Sequence, residues 1–379
     1  MGTIGKEVLL IKPSPEMPRN TEGAFALLND GTIMFAYSRF IGGHGDNSEA
    51  EIYAIFSHDD GETWGDGRTL VQKRPEDVNI MSVSFLRMKD GSLGLFYLRK
   101  TVIDDKMNCR PNFMRSYDEG KTWTEPGCCI ESNGYYVVNN DRIIRLKSGR
   151  VIIPASYHPE CADRAESCFF ISDDDCETFR ESNQHLHLPF MHNFTGMQET
   201  GVCELKDGRL WAWARTGHGY QFEAYSEDEG ETWSDVRPNE FFTSPNSPMS
   251  AKWIQNEKIL AVFNPIPFYN GRFPVGASKA THGDSVPVHL NVYHPFSVYE
   301  GRTPLVCSIT GGTPKEFELE LKMIEDNPEL GFCYPAIFPH KDFVLVAYFI
   351  IGDKYGYTDT DAILFGIRIK KIRLDELMG

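Results

Sequence analysis

Two stretches of this chain carry residues of the kind that do acid–base work. In Glu199-Thr-Gly-Val-Cys-Glu-Leu-Lys-Asp-Gly-Arg-Leu-Trp-Ala-Trp-Ala-Arg215 a carboxylate precedes one apolar strand and a guanidinium ends the next. A hairpin through the Lys-Asp-Gly turn returns both to the same end of the pair. Arg39-Phe-Ile-Gly-Gly-His-Gly-Asp46 is a glycine-rich loop ending in a carboxylate, and Glu49 and Glu51 follow it as competing acids. Such a loop can close over a bound molecule. A carboxyl shielded from water by that closure has a raised pKa and can give its proton to a leaving oxygen. Guanidinium forks hold a carboxylate in a bidentate, permanently charged contact that Lys cannot reproduce.

The elements that position these groups are repeats. One octet occurs four times: Ser57-His-Asp-Asp-Gly-Glu-Thr-Trp64, Ser116-Tyr-Asp-Glu-Gly-Lys-Thr-Trp123, Ser172-Asp-Asp-Asp-Cys-Glu-Thr-Phe179 and Ser226-Glu-Asp-Glu-Gly-Glu-Thr-Trp233. Its physical content is a turn: Ser and Asp bond to backbone, Gly permits a positive φ, and the aromatic packs back on the sheet. A polar turn leading into an apolar strand precedes each octet, at Asn29-Asp-Gly, Lys89-Asp-Gly, Lys147-Ser-Gly and Lys206-Asp-Gly. Degenerate copies follow at Asn256–Phe263 and Lys341–Tyr348, which brings the count to six. Four short strands per unit, with no helix-period stretch of comparable strength, predict an all-β, six-bladed β-propeller forming a single domain over residues 1–379. Residues 5–12 and 362–374 read as strands able to close the ring, and the long insertion at about 264–301 is expected to wall its mouth.

The octets with their preceding strands are Asp-boxes, and a ring of six units bearing them resembles the sialidase (neuraminidase) superfamily over nearly the whole chain. The resemblance implies a site on the ring axis with three Arg on a substrate carboxylate, a Tyr–Glu pair and an Asp acid. On that resemblance Glu199 partners the nucleophile and Arg215 is the second Arg. Arg19, in Arg19-Asn-Thr-Glu22-Gly-Ala-Phe, matches the first Arg, although the family's Arg-Ile-Pro neighbours are replaced and Glu22 is set beside the carboxylate cradle. Arg302, in Gly301-Arg-Thr-Pro-Leu-Val-Cys-Ser, matches the third, with Arg272 as its competitor. Tyr334, in Phe332-Cys-Tyr334-Pro-Ala-Ile, matches the nucleophile, and Asp46 the acid. Arg39, Asn140 and His158 are expected to help line the pocket, with Asp104 and Asp105 as weaker candidates. The activity implied is exo-acting, retaining hydrolysis of a terminal α-linked sialic acid. A different carboxylated sugar is the alternative that Glu22 favours, and a non-catalytic carbohydrate-binding propeller is the alternative of another class. The chemistry is coherent: an anomeric carbon bearing a carboxylate repels an anionic nucleophile, so a neutral phenol deprotonated by a nearby Glu suits it better.

Composition narrows the partners. The 379 residues are 41% hydrophobic and 12% aromatic, which excludes disordered, collagenous and coiled-coil classes. With 38 Lys+Arg against 54 Asp+Glu the net charge is −16, a field that repels phosphate backbones and anionic lipid. Neither nucleic acid nor membrane is an expected partner, whereas a few converging Arg can still capture a small acid. Nine Cys without a C-x-x-C pair, mostly within apolar runs, read as buried thiols in a reducing compartment. With no apolar leader, and with Val344–Ile351 as the longest apolar run, the expectation is a cytoplasmic protein. The Gln184–His192 stretch is rich in His, but its spacing matches no established ligand set, and no metal is expected. Phosphate-loop, dinucleotide and His-Glu-x-x-His motifs are absent, so no cofactor is expected.

Overall fold

The structure, a computed structural model, describes residues 2–159, 164–188, 195–266, 302–314, 317, 321–327, 330–352 and 365–379. Most of the 264–301 insertion, including Arg272, lies outside them, as do Cys161 and His192. After β1 (Lys6–Ile11), the chain lays down sets of antiparallel strands in sequence order. The first set is β2 (Arg19–Leu27), β3 (Ile33–Phe40), β4 (Ala50–Ser57) and β5 (Gly65–Val71). The second is β6 (Asp77–Arg87), β7 (Leu93–Ile103), β8 (Lys106–Ser116) and β9 (Gly127–Cys128). The third contains β10 (Tyr135–Val137), β11 (Ile144–Arg145), β12 (Val151–His158), β13 (Glu166–Ser172) and β14 (Arg180–Glu181). Then come β15 (Gln198–Glu204), β16 (Leu210–Arg215), β17 (Tyr220–Ser226) and β18 (Arg237–Thr243), followed by β19 (Ser250–Ile254), β20 (Lys258–Phe263), β21 (Leu305–Thr310) and β22 (Lys322–Glu325). The last set is β23 (Leu330–His340), β24 (Phe343–Gly352) and β25 (Gly366–Arg373), and β1 returns to pair with β25. Chain start and chain end are thus hydrogen-bonded in one sheet, which covers an edge. No helix among the described residues is long and apolar enough to cross a membrane.

Among the described residues the strands form five sheets. Tyr135 bridges Cys109 in parallel, which fuses the second and third sets into one nine-stranded sheet. Packing shows how the sets follow one another. Ala24, Met34 and Ile52 share a core with Ile80 and Leu95 of the next set. The same relation recurs along the chain, and Phe25 and Phe35 of the first set close it against Leu345 and Ile369 of the last. This double covering explains runs such as Val344–Ile351. Side chains alternate along a strand, so Val344, Val346 and Tyr348 enter one core while Leu345 and Ala347 enter the next. Both faces are apolar because both are buried.

Each octet begins at the last residue of a strand, β4, β8, β13 or β17, as expected of a turn staple. In the second octet Asp118 accepts from Thr122 N (2.8 Å), Thr122 Oγ1 (2.7 Å) and Ser116 Oγ (2.8 Å), while Ser116 Oγ accepts from Gly120 N (2.7 Å). The other three repeat this pattern. Donation by Thr122 holds the Asp118 carboxyl down at about 2. In the third octet Cys176 takes the place of Gly at φ 72°, a left-handed conformation that favours glycine, and buries its side chain in the adjoining core.

Replacing Asp118 by Ala removes the acceptor of those turn hydrogen bonds and is expected to lower the midpoint of a urea unfolding titration. Tyr117→Ala beside it, at 70% exposure, is expected to change stability by less than about 0.5 kcal/mol.

Candidate active site

The first strand of several sets carries a β-bulge whose central residue is left-handed. Glu22 (φ 52°), Ser82 (φ 58°), Glu199 (φ 51°) and Tyr334 (φ 54°) lie within the register shifts Thr21/Ala24, Met81/Ser84, Gln198/Gly201 and Cys333/Ala336. A bulge re-aims a side chain out of the pleat, and a left-handed non-glycine residue costs about 1–3 kcal/mol, tolerated where the surroundings over-determine it. All four line one cleft of about 590 Å³. Close packing helps to hold two of the bulges: a Cβ on Gly23 would meet the Phe35 ring at 2.4 Å, and one on Gly201 the Trp213 ring at 2.3 Å.

Within the cleft a chain of hydrogen bonds runs from phenol to guanidinium. Tyr334 OH donates to Glu199 Oε1 (2.8 Å), and Glu199 Oε2 accepts from Arg215 Nη1 (2.7 Å). Asn246 joins two of the cations, accepting from Arg215 Nε on its side chain (2.6 Å) and from Arg302 Nη2 on its backbone carbonyl (3.1 Å). The Arg302 guanidinium stands 5.5 Å from the centre of the Tyr334 ring. Desolvation pushes the Tyr334 phenol well above its ordinary value, and the Glu199 carboxylate pushes the same way. Desolvation also works against the Glu199 anion, but the Arg215 and Arg302 cations outweigh it and hold that carboxyl below the usual range. The resting pair is a neutral phenol on a carboxylate.

Across the cleft Arg19 is bracketed by two acids, Asp46 through Nη1 (2.5 Å) and Glu22 through Nη2 (3.4 Å). Glu22 also accepts a short hydrogen bond from Ser82 Oγ. Burial raises the Glu22 carboxyl to about 7 despite Arg19 and Ser82. The glycine-rich loop is held at three points: Asn79 Nδ2 donates to Ser48 O (2.6 Å), Lys100 Nζ to Asp46 O (2.7 Å) and Arg19 Nη1 to His44 O (3.1 Å). Asp46 sits at the mouth with its side chain 70% exposed. Desolvation in the cleft would raise its carboxyl, but the Arg19 and Lys100 cations prevail and hold it below the usual range. The raised pKa expected of a shielded loop Asp is therefore not that of this arrangement.

Of the residues singled out in the sequence, Arg19, Glu22, Asp46, His158, Glu199, Arg215, Arg302 and Tyr334 come together in the cleft. Arg39 does not. It points to the opposite face of β3 from Phe40, stacks on Tyr53 and pairs with Glu51, which removes Glu51 as a competing acid. Asn140 is also displaced: it lies beneath the floor, donating to Gly23 O (2.8 Å) and Tyr334 O (3.4 Å), and its neighbour Asn139 lines the cleft instead. Glu49, Asp104 and Asp105 are not among the lining residues. Sequence reasoning missed Ser82, Lys100 and Asn246, whose signal, a polar residue interrupting an apolar strand or turn, is common to many surface positions. In the His-rich stretch, His185 bonds through its two ring nitrogens to Glu166 (3.1 Å) and Glu181 (2.6 Å).

The BNR repeat-like domain matches residues 26–346, most of the chain. This chain belongs to the BNR repeat-like domain family. As a BNR-repeat protein it also has solved relatives in fold. A Dyadobacter fermentans protein of unknown function matches with a TM-score of 0.70 and 17% identity, over 97% of this chain and 99% of that one. The intramolecular trans-sialidase of Ruminococcus gnavus, solved with oseltamivir carboxylate, matches with a TM-score of 0.69 and 14% identity, over 98% of each chain. A mutant of the NanB sialidase of Streptococcus pneumoniae matches with a TM-score of 0.66 and 13% identity, over 100% of this chain and 71% of that one. A comparison with curated proteins finds none that matches. The fold of this BNR-repeat chain is thus shared with sialidases.

Glu22 titrates near 7 in the folded chain against an ordinary value of 4.5, so the native state holds a proton that the unfolded chain has lost. Its linkage lowers stability as pH rises from about 4.5 to 7 and is flat above. Glu22→Gln abolishes that contribution. The melting temperature of the variant relative to wild type is therefore expected to climb between pH 5 and pH 8, and parallel curves would show that Glu22 does not titrate there.

Proposed function

We propose that the protein is an exo-acting retaining glycoside hydrolase of the sialidase type, built as a single six-bladed propeller, that releases a terminal α-linked sugar bearing a carboxylate. The observation that carries this reading is the Tyr334–Glu199–Arg215 chain of hydrogen bonds on the cleft floor. A phenol kept neutral at rest does not repel an anionic sugar, and it becomes a nucleophile as Glu199 takes its proton in the transition state. Phenol oxygen attacks the anomeric carbon while Asp46 protonates the departing oxygen. Water then displaces tyrosine, giving its proton to Asp46, and Glu199 returns the phenol proton.

Charge in the cleft supports the substrate class. Arg19, Lys100, Arg215 and Arg302 stand against Glu22, Asp46 and Glu199, an excess of one positive charge when all are ionised, in a chain of net −16. One carboxylate neutralises it. A substrate carboxylate on Arg19 also displaces Asp46 from that guanidinium and so raises the Asp46 pKa, turning it from a salt-bridge anion into a proton donor. Glu22 beside Arg19 favours the second reading, in which the carboxylated sugar is not a common sialic acid, because its own charge competes for the cradle.

The test is release of a fluorescent aglycone from an α-sialoside. Wild type is expected to hydrolyse it, Tyr334→Phe to lose roughly 10²-fold or more in kcat, and Arg302→Ala to raise KM. Turnover of another carboxylated glycoside alone would favour the second reading. Unchanged activity in Tyr334→Phe would remove the nucleophile, and inertness toward a panel of acidic glycosides would leave a carbohydrate-binding role.

A further inference from the structure

At the opposite end of the first strands from the cleft lies a second cavity of about 260 Å³. Along β15, Gln198 and Glu199 line the cleft, whereas Val202, Cys203 and Glu204 line this cavity, so one strand serves both ends. Its other walls come from the 141–147 segment, from Trp213 and from Lys252 and Trp253 of β19. The local charge is the reverse of the chain's: Arg142, Arg145, Lys147 and Lys252 face only Asp141 and Glu204 among the lining residues.

Those acids are already engaged. Asp141 accepts from Lys252 Nζ (2.7 Å) on one oxygen and from Ile337 N (3.0 Å) on the other, and Glu204 accepts from the backbone of Lys147 (2.8 Å). Arg145 is neutralised from outside the cavity by Asp175 (2.5 Å). Arg142 has no carboxylate among its hydrogen-bond partners, and Asp141 and Glu199 act on it only through space. It is 3% exposed, its Nη groups donate to neutral acceptors, Ser250 Oγ (2.6 Å) and Met249 O (2.5 Å), and its Nε has no hydrogen-bond partner among the described residues. A buried cation hydrogen-bonded only to neutral groups is costly, and an anion held beside it offsets that cost. Lys147 is exposed at the rim, where it can meet an entering charge, and Trp213 and Trp253 supply flat apolar walls for the body that carries it.

We propose that this cavity binds a compact organic anion, a carboxylate or phosphate, whose charge is met by Arg142, Lys147 and Lys252 and whose body lies against Trp253. The site uses none of the residues to which the catalytic reading gives a role.

Of the six Trp, Trp213 and Trp253 line the second cavity and none lines the cleft, so a ligand in the second cavity is the one expected to change tryptophan emission, and the Arg302→Ala control below separates it from a ligand in the cleft. The full chain is titrated with inorganic phosphate and, separately, with D-glucuronate at constant ionic strength. A saturable change in emission with Kd of about 1 mM or below is expected for at least one of them, and which one responds distinguishes phosphate from carboxylate. Lys147→Glu is expected to weaken binding about tenfold or more by reversing a charge at the rim, while Arg302→Ala, at the cleft, leaves the response in place. The proposal is overturned by no saturable response up to about 50 mM, by a response that Lys147→Glu leaves unchanged, or by one that Arg302→Ala abolishes.

Discussion

Charged side chains gathered in one cleft can be buried only if each cation is answered by an anion or a dense set of hydrogen bonds. Here Glu199 answers Arg215, and Asp46 and Glu22 answer Arg19. The backbone bends to meet this requirement, since Glu22, Ser82, Glu199 and Tyr334 all reach the cleft from left-handed bulge positions that an unbroken strand would not present. The same pairing sets the chemistry. Glu199 is held ionised by two guanidinium groups, and Tyr334 is kept a phenol by desolvation next to it. Strain and charge pairing are two faces of one arrangement.

What lets sequence-distant bulges share a cleft is the segment between β10 and β11. Asn140 bonds to Gly23 and Tyr334, Asp141 N to Val83 O, Asp141 Oδ2 to Ile337 N, and Arg142 to Met249 and Ser250. Three consecutive residues, 140–142, thereby tie the third strand set to the first, second, fifth and last. This segment is also the floor between the two cavities: Asn139 lines the cleft and Arg142 the cavity behind it. A change there would reach both.

Local features of the fold were legible in the sequence. The octets and polar turns announce themselves because their hydrogen bonds close within a few residues, and Glu199 and Arg215 were placed together because one hairpin joins them. Parity decided one failure. Side chains alternate along a strand, so a single position carries Arg39 to Glu51 and Tyr53 rather than to the cleft, whereas Asn139 and Asn140 lie in a turn outside any strand, where no period tells which of them faces the pocket. Lys100 and Asn246 act through partners 54 and 31 residues away, contacts that no spacing reveals. The fusion of the second and third sets rests on one parallel bridge, Tyr135 to Cys109, too small a feature to leave a pattern. The cations that hold the Asp46 carboxyl down, Arg19 and Lys100, come from other strands and leave no mark in the loop.

The central claim is that Tyr334 forms a glycosyl–enzyme bond, and trapping it is the most direct test. An acidic-sugar fluoride carrying a second fluorine next to the anomeric carbon slows the release step by destabilising the oxocarbenium-like transition state. The wild-type protein incubated with it is digested and its peptides are weighed. The account predicts one added glycosyl mass on the peptide containing Tyr334, absent from Tyr334→Phe. A slow-turnover complex with no covalent mass, or the mass on Glu199 or Asp46 instead, would contradict it.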